Sequence, residues 1–404
     1  MAESHLPLEG VKCVCVIMFQ QVPVAFSMMA DLGAEVIKIE PPGTGERGRR
    51  LLLNLGQKFS PYFETNNRGF KGMTLDLKQK KGLEILYKLV KDVDIFAENF
   101  RPGVAERNHF TYEDLMKINT GIIYLASSAY GPNGPNASLP GTDGIAQAAG
   151  GIASAYGEKG TQMMTGQVPV ADENSAMVNF SALMVGLYHK KMTGEGQKIE
   201  TSLLGSMIRL MGYSMTRVLN SKKDIPRGRI RIAGGADPYF TASFNDKNGK
   251  PFTIQIVGEA SWIKGMEVAG FNQCLAEVGC AKLGEIVGSE EKAQIFLETM
   301  DKIFITDTRE NWIKQLRECD IVCSPLNTVL EASRDPDVIA NSYVIEVDHP
   351  RAGRIKEVGF PWKFSRFTPK AGIAPELGEH NQEILHGLGY SDADIAQLKQ
   401  EKVI

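Results

Sequence analysis

The chain has 404 residues, 43% of them hydrophobic and 23% charged, with a formal net charge of −3. That balance is ordinary for a globular protein and argues against nucleic acid or an anionic membrane as the main partner. The length suggests more than one domain, each with an ample core.

The opening Met1–Pro7 lacks the basic and apolar regions of a signal peptide, and no apolar run reaches the length of a membrane span. A cytoplasmic protein is therefore expected. The first strand signal is the apolar run Val11–Met18, where Cys13 and Cys15 would share one face. Pro23 can open a helix and Gly33 can end it. Further strands follow at Glu35–Glu40, Met73–Leu77, Val93–Ala97 and Ile122–Ala126, separated by helical patterns such as Leu83, Leu86 and Val90. This alternation predicts a Rossmann-like α/β domain, a mostly parallel sheet covered by helices. Gly43-Thr44-Gly45-Glu46-Arg47-Gly48 spells GxGxxG, but Pro41-Pro42 interrupts the strand-to-helix turn a dinucleotide site needs. A plain loop is expected there.

Val168-Pro169-Val170-Ala171-Asp172-Glu173 then opens a helix with an apolar stripe at Met177, Phe180, Met184, Leu187 and Tyr188. An aspartate in such a place is ordinarily an N-cap. From 205 to 235 the pattern breaks up around Lys222, Lys223, Pro226, Arg227, Arg229 and Arg231. The expected organisation is a large domain over 1–204, completed by 376–404, and a smaller α/β domain over 237–325. Linkers over 205–236 and 326–375 would join them. None of the six cysteines (Cys13, Cys15, Cys274, Cys280, Cys319, Cys323) forms a CxxC pair, and the histidines lack metal spacing. Free thiols and no metal are expected.

Short motifs recur in a telling order. They include Leu8–Lys12, Ala30–Gly43, Asn67-Arg68, Thr74–Lys78, Glu98–Gly103, Gly131–Pro135, the Asp172 segment, Thr193–Leu204 and Leu377–Asn381. Together they resemble the family III CoA-transferases (CaiB/BaiF), the group containing formyl-CoA, carnitine, bile-acid and aryl-acid CoA-transferases. The resemblance implies an interlocked dimer, or a hetero-oligomer with a paralogue. It implies CoA as substrate rather than as a bound cofactor, and transfer from an acyl-CoA to a carboxylic acid.

It also implies roles for particular residues. Asp172 would be the covalent nucleophile and Gln20 a donor over the reacting groups. Leu75, Lys78, Asn99, Phe100, Arg101 and Arg107 would form the CoA groove. Tyr62, Thr142 and Asp143 would line the substrate pocket, with Gly234 and Gly235 in place of the family's longer glycine run. Cations near strand ends suit the phosphates of CoA, although exposed cations are also ordinary surface residues. Thr142 stands where the oxalate-using relative has tyrosine, which predicts room for a bulkier aryl or branched acid. The alternatives are an α-methylacyl-CoA racemase-like enzyme and a non-catalytic subunit of a heteromeric transferase. Threonine rather than histidine before Asp143 disfavours the racemase.

Overall fold

The computed structural model describes residues 5–52, 59–235 and 238–404. They form two compact units. The first comprises 5–52, 59–154, 164–223 and 342–404; the second comprises 155–163, 224–235 and 238–341.

The first unit is built on a six-stranded sheet. In chain order come β1 (Lys12–Val16), α1 (Pro23–Asp31), β2 (Glu35–Glu40), α2 (Pro61–Asn67), β3 (Lys71–Thr74) and α3 (Lys80–Val90). Then follow β4 (Ile95–Glu98), α4 (Val104–Arg107), α5 (Tyr112–Leu115), β5 (Ile123–Ser128) and α6 (Asp143–Ala149). The long α7 (Val170–Thr193), β6 (Gln197–Ser202) and α8 (Leu203–Ser221) complete it. The strand order is β3-β2-β1-β4-β5-β6 and every pairing is parallel. This is the doubly wound order in which the chain reverses direction across the sheet between β1 and β4. The sequence pattern had not marked β6 as a strand. Its QKIETS alternates exposed and half-buried positions, the profile of an edge.

Side chains alternate across the sheet as period-two geometry requires. Val14 and Val16 join Ile37, Met73, Phe96 and Tyr124 on one face, closed by Ile384, Leu385, Ile395 and Leu398 from the C-terminal helices. Cys13 and Cys15 point to the other face with Phe26, Val36, Ile95, Ile123 and Leu183. Burial pushes both thiols well above their usual range, so they behave as small apolar residues. The motif Leu377–Asn381 has a mechanical purpose. Asn381 accepts from Thr74 N and donates to Thr74 Oγ1, while His380 exchanges bonds with Gly72, so the C-terminus clamps β3. Gly33 turns the chain from α1 to β2 at φ +103°, where an added Cβ would sit 2.7 Å from Leu6 Cβ.

Two sequence expectations change. The stretch from 205 is helical to Ser221, and 344–358 forms an antiparallel hairpin of β11 (Val344–His349) and β12 (Gly353–Val358), numbered after the four strands of the second unit. The apolar stripe of α7 is only half covered. The residues it buries are Ala171, Ser175, Ala176, Asn179, Leu183 and Gly186, mostly small or polar, while Val185, Tyr188 and Met192 remain exposed.

The second unit holds an antiparallel sheet in the order β10-β9-β8-β7, from β7 (Ile230–Ala233), β8 (Tyr239–Asn245), β9 (Pro251–Val257) and β10 (Val322–Pro325). Helices between Gly258 and Glu318 supply the rest of an aromatic core that includes Phe240, Phe244, Trp262, Phe296, Phe304 and Trp312. Among the described residues, no helix is long and apolar enough to cross a membrane.

Candidate active site

The carboxyl ends of β1 and β4 flank the point where strand order reverses, and such crevices are where doubly wound folds take their ligands. Asn99, just beyond β4, closes this crevice with two bonds. Its Oδ1 accepts from Met18 N (2.9 Å) and its Nδ2 donates to Met18 O (2.7 Å). The chain then turns through Phe19, held at φ +64°, a conformation bulky residues rarely adopt. Its cost is offset by Glu46, which accepts from Phe19 N at 2.8 Å. Glu46 in turn binds Lys38 at 2.8 Å, and Lys38, wholly buried, also donates to Asn67 Oδ1. A paired and fully bonded cation is the form in which a lysine survives burial. The GxGxxG loop therefore sends its one carboxylate inward, and its last residues make a short 3₁₀ turn, Arg47–Arg50, where a nucleotide site would need a helix.

The next two residues reach across to α7. Gln20, 5% exposed, donates from Nε2 to Glu173 Oε1 at 2.6 Å. Gln21 enters a buried network. Its Oε1 accepts from Ser127 Oγ and Ser175 Oγ, and its carbonyl accepts from Asn179 Nδ2. Thr201 of β6 donates to Asn179 Oδ1 at 2.6 Å. These bonds tie the β1–α1 turn, two strand ends and the first turns of α7 into one body.

Asp172 sits in that first turn. It is not the N-cap: the cap position is Pro169, with no side-chain cap of its own, and the helix begins at Val170. The capping carboxylate comes from α6. Asp143 Oδ1 accepts from Ala171 N (2.7 Å) and Asp172 N (3.2 Å). The expectation of a local cap failed because the capping group lies 29 residues away in sequence. Asp172's own carboxylate, half-buried, accepts no hydrogen bond from the described residues. Burial, then the charges of Asp143 and Glu173, push it up to about 7. Tyr62 faces the same acids: its phenol is pushed up by burial and then by Asp172, Glu46, Glu173 and Asp143. Asp172, Asp143, Tyr62 and Gln20 are thus brought together.

The other sequence candidates are placed around this centre. Leu75, 2% exposed, packs in the core at the end of β3, and Lys78 stands exposed just beyond it. A cleft of about 240 Å³ opens at the ends of β4, β5 and β6, lined in part by Glu98, Phe100, Arg101, Ser128 and Glu200. Arg107 lies exposed at the end of α4 and folds over Gly103, where a Cβ would meet its Nη1 at 3.1 Å. Thr142 is exposed at the N-cap of α6. Gly234 and Gly235 belong to the second unit, exposed at the end of β7. Sequence reasoning missed Glu173, Glu46 and Gln147. Only Glu173, adjacent to Asp172, carried a readable signal, as a neighbouring carboxylate. No group of three or more His, Cys, Asp or Glu side chains among the described residues is arranged to hold a metal ion.

The pattern of CoA-transferase family III matches residues 8–381. A formyl-CoA:oxalate CoA-transferase of Escherichia coli is 30% identical over 420 aligned positions, covering 98% of this chain and 99% of that one. Among solved structures, a CaiB/BaiF family protein from Brucella suis superposes with a TM-score of 0.82 at 25% identity, covering 95% of this chain and 100% of the other. The Mycobacterium tuberculosis protein Rv3272 shares the fold, with a TM-score of 0.79 at 23% identity over 94% and 99% of the two chains. A doubly wound sheet, a strand-end crevice and a family pattern that runs nearly the whole length lead to one conclusion: this chain belongs to the family III CoA-transferases, enzymes that act on CoA thioesters.

Proposed function

We propose that this enzyme moves CoA from an acyl-CoA to a free carboxylic acid by covalent catalysis on Asp172. The supporting observation is the state of that carboxylate. It stands in the first turn of α7, half-buried, without a hydrogen bond from the described residues, and pushed up to about 7. A desolvated, unbonded anion is a stronger nucleophile than a capped surface aspartate.

In the proposed sequence, an Asp172 oxygen attacks the donor thioester carbonyl. The C–S bond breaks, leaving a mixed anhydride and CoA thiolate. The thiolate attacks the Asp172 acyl carbon and expels the donor acid, so an aspartyl-CoA thioester forms. The acceptor carboxylate attacks that thioester, releasing thiolate again and forming a second anhydride. Thiolate attack on the acceptor carbonyl frees Asp172 and the new acyl-CoA. Gln20 spends one amide hydrogen on Glu173; the second is available to a developing oxyanion. Lys78, Arg101 and Arg107, with Asn99 and Phe100 between them, would hold the nucleotide end of CoA. Leu75 would brace that groove from beneath. Tyr62, Thr142 and Asp143 would surround the acyl groups. The acceptor would be an aryl or branched acid, because Thr142 replaces a bulkier tyrosine.

A partner chain, identical or paralogous, would cover the apolar faces of α7 and α8. Tyr188 and Met192 on one, and Tyr213 and Leu219 on the other, are each about two-thirds exposed. Light scattering at micromolar concentration should then report a dimer or larger. A single well-behaved 44.3 kDa species would count against this assembly.

Asp172→Ala should abolish transfer while the fold survives, since Asp172 makes no cap bond whose loss would matter. Transfer near the wild-type rate would overturn the mechanism. Lys78→Ala and Arg107→Ala should raise KM for acyl-CoA roughly tenfold with little change in kcat, because phosphate contacts persist from ground state to transition state. A rise confined to the acceptor's KM would displace the CoA groove. Thr142→Tyr should slow transfer to aryl acids roughly tenfold or more, the scale of about 1–3 kcal/mol for overpacking. Equal effects on oxalate and an aryl acid would remove Thr142 from the acceptor pocket.

A further inference from the structure

The start of α7 raises a question that nucleophilic catalysis alone does not answer. A 24-residue helix presents unpaired N–H groups and partial positive charge at its first turn. An acidic side chain at the third residue of a helix ordinarily folds back onto the N-cap amide; here the N-cap is Pro169, which has no N–H, so the amides open to it are those of the second and third residues. Asp172 occupies that position, and capping of this kind would make it a poor nucleophile. What prevents it is a set of contacts centred on Gln147.

Gln147 lies one turn beyond Asp143 on α6 and is 2% exposed. Both ends of its amide are engaged. Nε2 donates to Asp143 Oδ2 (2.6 Å) and to the Val168 carbonyl (3.2 Å); Oε1 accepts from Gly166 N (2.8 Å). One side chain therefore fixes both the strand of chain that leads into α7 and the orientation of the Asp143 carboxylate. So held, Asp143 presents Oδ1 to the amides of Ala171 and Asp172. The helix's anion site is filled by a carboxylate from another helix.

We infer that Gln147 is a positioning residue: it holds Asp143 on the amides that start α7, and so keeps Asp172 uncapped and aimed at the crevice. This rests on the reading of Asp172 as nucleophile. The arrangement has an electrostatic side as well. The groups facing Asp172 are Asp143 from α6, Glu173 from its own helix and Tyr62 from α2, with Glu46 beyond the tyrosine. None is a cation. After burial, Asp143 is the leading cause of the raised proton affinity of Asp172.

Two variants test the inference. Gln147→Met keeps the volume and removes all three bonds. It should lower kcat roughly tenfold while KM for acyl-CoA stays within about twofold, since positioning of the reacting atom is lost and CoA contacts are not. Asp143→Asn keeps an oxygen for the helix amides, but its Nδ2 then faces Gln147 Nε2, and that one bond is lost because Gly166 N and the Val168 carbonyl hold the Gln147 amide as it is. The substitution removes the charge beside Asp172. The nucleophile must be ionised, so kcat/KM falls as pH drops through its value of about 7. Without the Asp143 charge that fall should begin at lower pH, raising kcat/KM at pH 5.5, relative to its plateau, by roughly threefold or more. A purely structural cap would leave the profile where it was. An unchanged kcat in Gln147→Met together with an unmoved acid limb in Asp143→Asn would overturn the inference. If Gln147→Met shows no cooperative melting transition, the Asp143→Asn profile decides alone. Full activity of Asp172→Ala would instead overturn the nucleophile reading, whatever the other two variants do.

Discussion

The site depends on one buried junction, where Gln21 meets Ser127, Ser175 and Asn179, and Asn179 meets Thr201. Polar side chains in a low-dielectric interior are costly unless every group is matched, and a matched network admits few alternative arrangements. This one joins the turn after β1, the ends of β5 and β6, and the first three turns of α7. An apolar contact of equal area would allow α7 to slide or rotate. The hydrogen bonds set both its depth and its rotation, and so where the carboxylate of Asp172 emerges. They also account for the small, polar buried face of α7. The part of that face that meets the strand-end network, Ala171 to Asn179, buries only alanine, serine and asparagine, and Leu183 follows beyond it.

Around that junction the charges are distributed unevenly. Lys38 is committed to Glu46 and Asn67, and Glu46 to the strained Phe19. Gln20 is committed to Glu173, and Asp143 to the amides of α7. Gln20, Glu173 and Asp143 are each engaged by groups other than Asp172. Solvation, helix dipole and cations would all stabilise an ordinary surface aspartate, and here the first is reduced by burial and the others are directed elsewhere. The reactivity proposed for this carboxylate follows from what its neighbours withhold. Burial, and then the same crowding by acids, lifts the Tyr62 phenol, which stays neutral and able to donate a hydrogen bond.

Much of the architecture was legible in the chain. Apolar runs of strand length alternating with helical periodicity imply a parallel sheet, because consecutive parallel strands require a crossover. The pairing of Cys13 with Cys15 on one face follows from the two-residue repeat of a strand. The ordered motifs led to the family, and their physical purposes emerge in the fold: Leu377–Asn381 clamps β3, and Asn99 closes the crevice at Met18. The β6 strand escaped notice because Ile199 is its one apolar residue, and only its pairing with β5 makes it a strand.

The residue types near Asp172 were set by the sequence alone, as were the class of fold and the family. Which carboxylate caps α7 and which is left free was decided only by tertiary structure. Local rules assign a cap to the nearest acidic side chain, and they assign it here to Asp172. The donor that matters lies in α6, brought to α7 by packing and held there by Gln147. Capping energy depends on distance in space, and no spacing along the chain encodes the approach of two helices whose contact is 29 residues apart.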